Sequence, residues 1–147
     1  MRHSALFATL SLLALAAVFV ANAQQPVGLP RAKAPAGAEV FFVAPADGAT
    51  VGQDVKVVFG VKGVAVAPAT DTAPGTGHHH LLIDTDMVPL DQPIPSDYNH
   101  IHLGGGQTEV VLTLPQGTHT LQLLLGDHEH VAHQPPVMSK KITIYVR

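Results

Sequence analysis

Nine of the ten histidines in this 147-residue chain lie in its last seventy residues, and most come in tight groups. His78-His79-His80 is the first, His100-Ile101-His102 the second, and His128-Glu129-His130, with His133 close behind, the third. Neutral imidazole is the commonest protein ligand for zinc, copper, iron and nickel, so such groups in a cysteine-free chain point to a transition-metal site. In an extended strand alternate side chains share a face. His78 and His80 therefore share one, as do His100 and His102, and His128 and His130 do so if their loop stays extended. Each pair can set two imidazoles around one ion at roughly 2.0–2.1 Å. The candidate ligands are His78, His80, His100, His102, His128, His130 and His133. His79, Gln107 and Asp127 are candidates to orient ligand rings from a second layer, and Gly104-Gly105-Gly106 permits unusual backbone geometry beside the site.

Other histidines and acids take plainer roles. His119 reads as structural or exposed, far from the groups. Asp84 and Asp86 read as turn residues. Met87 and Met138 are too scattered for a methionine-rich Cu(I) site.

The elements that must bring these groups together are strands. Glu39–Val43, Asp54–Val61, His78–Asp84, Thr108–Leu114, Thr118–Gly126 and Lys141–Val146 are rich in β-branched or alternating apolar residues. Proline- and glycine-bearing stretches separate them: Pro45–Gly48, Ala67–Gly77, Met87–Asn99 and Pro115–Gly117. No sustained helical period appears after the first twenty-three residues. This predicts an all-β, immunoglobulin-like antiparallel sandwich of about seven strands, with a small barrel as the alternative. In sandwich order the third strand begins, the fourth begins and the fifth ends at one pole, with the Pro115–Gly117 hairpin at the other. The three histidine groups then converge there, where loops carry function.

Residues 1–23 read as a secretory signal: Arg2, an apolar run from Ala5 to Val20, and Ala21-Asn22-Ala23 as the cleavage site. The run is shorter than the roughly 20 residues of a membrane span, and no basic stop-transfer cluster follows. Residues 24–38 (QQPVGLPRAKAPAGA) read as a flexible tether, and residues 39–147 as the folded domain. The protein is thus expected in the periplasm or outside a bacterial cell, with no membrane span in its mature chain. The mature chain keeps seven of the eight Lys/Arg and all eleven Asp/Glu, a net charge near −4 with neutral histidines. No basic run exists, which argues against nucleic acid and gives no reason to expect anionic lipid. Without cysteine, disulfides and thiolate chemistry are excluded, so the domain must stand on its hydrophobic core.

One string of motifs carries a resemblance. It runs Gly77-HHHLLID, His102-x-Gly-Gly-Gly-Gln-Thr-Glu, Leu114-Pro-x-Gly-x-His-Thr-Leu-Gln-Leu and Gly126-Asp-x-x-His, then Pro135-Pro-Val and Ser139. Over residues 64–147 the chain resembles the exported bacterial domain of unknown function 4399, a family that brings no activity with it. Its strand layout also looks like that of the periplasmic copper-resistance protein C family, which implies an immunoglobulin-like copper binder. Those proteins use a histidine near the mature N-terminus, whereas the mature chain here begins Gln24-Gln25.

Three functions compete. The first is a module holding Cu(II) or Zn(II) for sequestration or delivery. The second is a metal-dependent enzyme, with Glu129 or Asp127 as general base. The missing N-terminal histidine argues against a histidine-brace oxidase, and the missing cysteine pair against a copper–zinc superoxide dismutase. Ser96 and Ser139 lack a G-x-S-x-G context, and the triple glycine lacks the Lys-Ser/Thr of a phosphate loop. The third is an interaction domain that meets an envelope protein through its loops.

Overall fold

The structure, a computed structural model, describes residues 27–147. The signal segment 1–23 and the first residues of the tether lie outside that range. Nine strands are described: β1 (Glu39–Ala44), β2 (Thr50–Val51), β3 (Asp54–Lys62), β4 (Ala65–Val66), β5 (Thr76–Ile83), β6 (His100–Leu103), β7 (Glu109–Thr113), β8 (Gly117–Gly126) and β9 (Ile142–Val146). Among the described residues no helix is long and apolar enough to cross a membrane.

The strands form two sheets, β1-β3-β7 and β2-β9-β8-β5-β4, with β6 also paired to β5. The long pairings are antiparallel, as an immunoglobulin-like sandwich requires. The short pairs β2/β9 and β4/β5 are parallel, so the second sheet is mixed rather than purely antiparallel. The expected strands recur within two residues at either end. β6 is not among the expected strands: its four residues, between the 87–99 connection and the triple-glycine turn, pair with the edge of β5, so that His100 and His102 share a face as their spacing implied.

Alternation decides what each face of the central strands does. On β8, Leu121, Leu123 and Leu125 point between the sheets and join Val55, Val57, Phe59, Leu81, Ile83 and Ile144 in the main core. The opposite face of β8 and β5 is also buried, because the 84–99 connection and the segment after β8 lie over it. Leu82, Leu124, Ile94 and Ala132 make a second, smaller core there, flanked by Met87, Val88 and Leu90. This double burial accounts for the unbroken run His78–Ile83, which has no solvent-facing side. Full burial of one such leucine contributes about 1.5–3 kcal/mol.

The segment read as a flexible tether differs from that reading over Leu29–Ala34. Leu29 N–H donates to the Asp91 carbonyl (2.7 Å), Ala34 N–H to that of Gln134 (2.9 Å), and Gln134 N–H to that of Ala32 (2.8 Å). Ala34 is buried in the main core. Its Pro/Ala composition gives no periodic signal, but backbone pairing needs none.

Candidate metal centre

Four imidazoles meet on the outer face of the second sheet. His78 and His80 share that face by alternation. Across the β5/β6 pair His102 stands directly opposite His80, and the loop after β8 brings His130 over them. The Nε2 atoms of His78 and His80 are 3.0 Å apart, and those of His102 and His130 are 3.2 Å apart. The ligand atoms of His78, His80 and His102 all lie within 4.8 Å of one another. Such a set can hold a metal ion. His78 and His80 are fully buried, while His102 and His130 form the half-buried rim.

Glycine makes the room. Gly126 pairs with His78 across β5/β8, and a Cβ at Gly126 would stand 2.9 Å from His80 Nε2. A Cβ on Gly104 would overlap the His102 ring outright. His130 takes φ +65°, a left-handed conformation uncommon outside glycine and often tied to function. Its backbone is fixed by neighbours: Ile94 N–H donates to its carbonyl (2.8 Å), and its own N–H donates to the Asp127 carbonyl (2.9 Å).

Burial also sets the protonation of the cluster. Desolvation, then the neighbouring His130 and His102, lowers the His78 pKa from 6.5 to about 4, against a smaller upward pull from Asp127. His80 falls lower still, through desolvation and then His78, His102, His130 and His100. His102 shifts down as well, by desolvation and then His130. At neutral pH these rings are uncharged and keep a lone pair for a cation. In the metal-free pair one N–H donates across the 3.0 Å gap, and an ion taking both lone pairs sends that proton to the other ring nitrogen.

The remaining candidates go elsewhere. His128 is exposed. The ring nitrogens of His133 face the carbonyl oxygens of Thr76 (3.1 Å) and Leu125 (3.4 Å), which ties the loop to β5 and β8. His100 shares the cluster's sheet face but donates Nδ1–H to Asp97 Oδ1 (2.8 Å), leaving a buried Nε2 without a partner. Gln107 accepts the Gly105 N–H (2.8 Å) inside its own turn. Asp127 accepts the N–H groups of Glu129 and Val131 (2.9 and 3.0 Å), so it shapes the loop that delivers His130. Glu129, the other candidate base, is exposed.

His79 is on the wrong face to support a ligand ring. It lies in the main core, its ring centroid 4.9 Å from that of Phe59, and neither nitrogen has a partner. A buried polar group without partners costs stability. His79→Phe is therefore expected to stabilise the domain by about 1–2 kcal/mol in urea denaturation while leaving metal affinity unchanged. A variant that loses affinity would return His79 to the site.

At the far pole His119 is structural. It donates Nδ1–H to Asp84 Oδ2 (2.6 Å) and Nε2–H to the Pro115 carbonyl (2.9 Å). Burial disfavours its charge, but the Asp84 hydrogen bond, the Pro115 carbonyl and the Asp84 charge outweigh this and raise its pKa. Asp84, expected as a turn residue, has φ +52° and also caps the Thr120 N–H (2.7 Å).

Sequence reasoning missed Arg31. Its Nε–H donates to the Ala132 carbonyl (2.8 Å) and its Nη2 donates to that of His133. The only available signal was a lone arginine in a stretch of Pro, Ala and Gly.

No curated protein and no solved structure matches the chain, and nothing links it to the copper-resistance protein C family. A family match covers residues 57–147, from within β3 through β9, and takes in every histidine of the cluster. The chain belongs to the domain of unknown function 4399 (DUF4399) family.

Proposed function

We propose that this protein is an exported metal-binding module that holds copper or zinc at His78, His80, His102 and His130, for sequestration or delivery in the periplasm or outside the cell. The observation that carries the reading is the four-ring cluster, with paired Nε2 atoms 3.0 and 3.2 Å apart. Each facing pair is joined by one N–H···N hydrogen bond when no ion is bound, and a cation can take the two Nε2 lone pairs in its place once that proton moves to Nδ1. Of the two candidate bases, Asp127 is engaged by the N–H groups of Glu129 and Val131 and Glu129 is exposed, which favours holding an ion over hydrolysis with it.

Calorimetric titration of metal-stripped protein with Cu(II) and Zn(II) at neutral pH tests the proposal. One equivalent is expected to bind with sub-micromolar affinity, and His78→Ala/His80→Ala to lose at least about 100-fold of it. Binding no tighter than to exposed histidines, or unchanged in the double variant, would sink the reading.

The competing reading, an envelope interaction domain without metal, draws on an apolar groove along the free edge of β1. It is lined by Val40, Phe42, Pro45, Pro136, Met138 and Ile142. Chelation would leave such a partner bound, whereas a metal-dependent interaction would be lost.

A further inference from the structure

Resting on the reading that these four histidines share one ion, we infer that the site is a closed, pseudo-tetrahedral four-imidazole cage suited to Zn(II) and unsuited to Cu(II). The arrangement of the rings carries this. Imidazoles bound through Nε2 at roughly 2.0–2.1 Å place each ring centroid about 3.2 Å from the ion, so a regular tetrahedron sets all six centroid separations near ~5.2 Å. A square plane instead sets four at about 4.5 Å and two, between trans rings, at about 6.4 Å.

The separations observed are 4.8 Å (His78–His80), 5.0 Å (His78–His102), 4.9 Å (His78–His130), 5.1 Å (His80–His102), 4.7 Å (His102–His130) and 5.9 Å (His80–His130). Five lie between 4.7 and 5.1 Å, between the tetrahedral value and the cis separation of a square plane, so the long pairs decide. A square plane also needs its two long pairs to share no ring. The only long pair is His80–His130, and its complement, His78–His102, is 5.0 Å. The four ring centroids form a slightly flattened tetrahedron, with the donor atoms of His78, His80 and His102 within 4.8 Å of one another and His130 joined to them through its 3.2 Å approach to His102.

The scaffold resists flattening it further. His78, His80 and His102 rise from one hydrogen-bonded sheet face in fixed register, while His130 descends from a loop pinned to Ile94 and Asp127. Three ligands from below and one from above is a tetrahedral construction. Cu(II) exceeds Zn(II) in raw affinity for imidazole, but it prefers tetragonal geometry, and a rigid cage works against that preference. There is no thiolate to draw Cu(I). Four protein ligands also leave no open position, which is the pattern of a holding site rather than a catalytic one.

The full chain, purified and stripped of metal, is titrated with Co(II), which reports geometry through its ligand-field bands. One equivalent should give the intense bands of tetrahedral Co(II), roughly tenfold stronger than those of an octahedral complex, and one equivalent of Zn(II) should erase them. His130→Asn, chosen because asparagine tolerates left-handed backbone, should replace one nitrogen ligand by water, shifting the bands, making them respond to added azide and weakening Co(II) affinity several-fold, with the far-ultraviolet circular dichroism unchanged. His102→Ala should do the same from the sheet side. A pale octahedral spectrum at full loading, bands and affinity unchanged in His130→Asn, or a tetragonal four-nitrogen Cu(II) resonance spectrum overturns the cage and leaves metal binding standing. Failure of Co(II), Zn(II) and Cu(II) all to bind stoichiometrically overturns both.

Discussion

Metal-free protein is expected to lose most of its stability between pH 6.5 and 5, a range that leaves most small domains folded. In the unfolded chain each histidine titrates near 6.5. In the folded chain His78 and His79 do so near 4 and His80 lower still, all chiefly through desolvation. Between those limits the unfolded state binds more protons, so stability falls with pH. It is fully present above about pH 6.5 and is lost as the solution is acidified. Three groups together give a slope of about 4 kcal/mol per pH unit, and a domain of this size has roughly 5–15 kcal/mol to lose. His119 works in the opposite direction. Its raised pKa contributes stability that is present below the unfolded value and lost at higher pH, but it is one half-screened pair against three buried rings.

Urea denaturation at several pH values, with chelator and with saturating zinc, checks this. With chelator the midpoint should fall steeply below pH 6.5. With zinc it should hold to lower pH, because bound nitrogens cannot take up protons until the ion leaves. His79→Phe removes one of the three protons and should reduce the slope by about a third. A flat profile from pH 7 to 5 in the metal-free protein would mean that these rings are not desolvated as described.

The sequence carried the strands well, because their signals are local. β3, β8 and β9 hold β-branched and leucine residues at alternating positions, and Pro115-Gln116-Gly117 sets the β7–β8 hairpin. The same alternation separated His79 from His78 and His80. β6 was illegible for the opposite reason: four residues between a long loop and a triple-glycine turn become a strand only because the edge of β5 is there to pair with. Within the third histidine group an extended loop would have put His128 beside His130. Asp127 instead folds that loop on itself, its side chain taking the N–H groups of Glu129 and Val131. His130 is thereby forced into a left-handed turn over the sheet and His128 out into solvent. A side-chain cap of this kind is visible as Asp127 in the sequence, but its effect on a ligand two or three residues away depends on the tertiary contacts of Ile94. His133 and His100 look like ligands by composition and are claimed instead by carbonyl oxygens and by Asp97.

Arg31→Ala is expected to weaken zinc binding by about 10- to 100-fold although Arg31 touches none of the four rings. Its guanidinium donates to the carbonyls of Ala132 and His133, in the stretch immediately after His130. Gln134 is stitched to Ala32 and Ala34 on the same strap. Removing the side chain leaves two backbone acceptors without their charged donor, at about 1.5–3 kcal/mol for each bond lost. The loop can then retreat from the sheet, taking His130 with it, while His78, His80 and His102 stay on β5 and β6. The expected signature is loss of one nitrogen ligand with the sandwich intact, together with faster amide hydrogen exchange confined to Val131–Gln134. Arg31→Lys should recover only part of the affinity, since an ammonium lacks the planar fork that reaches both carbonyls. Equal zinc affinity and unchanged exchange in Arg31→Ala would show that the loop holds His130 unaided, through Ile94 and Asp127. If affinity does fall, the strap is part of the metal centre even though it lies outside the family match, and anything that draws Leu29–Ala34 off the domain draws the fourth ligand off the ion.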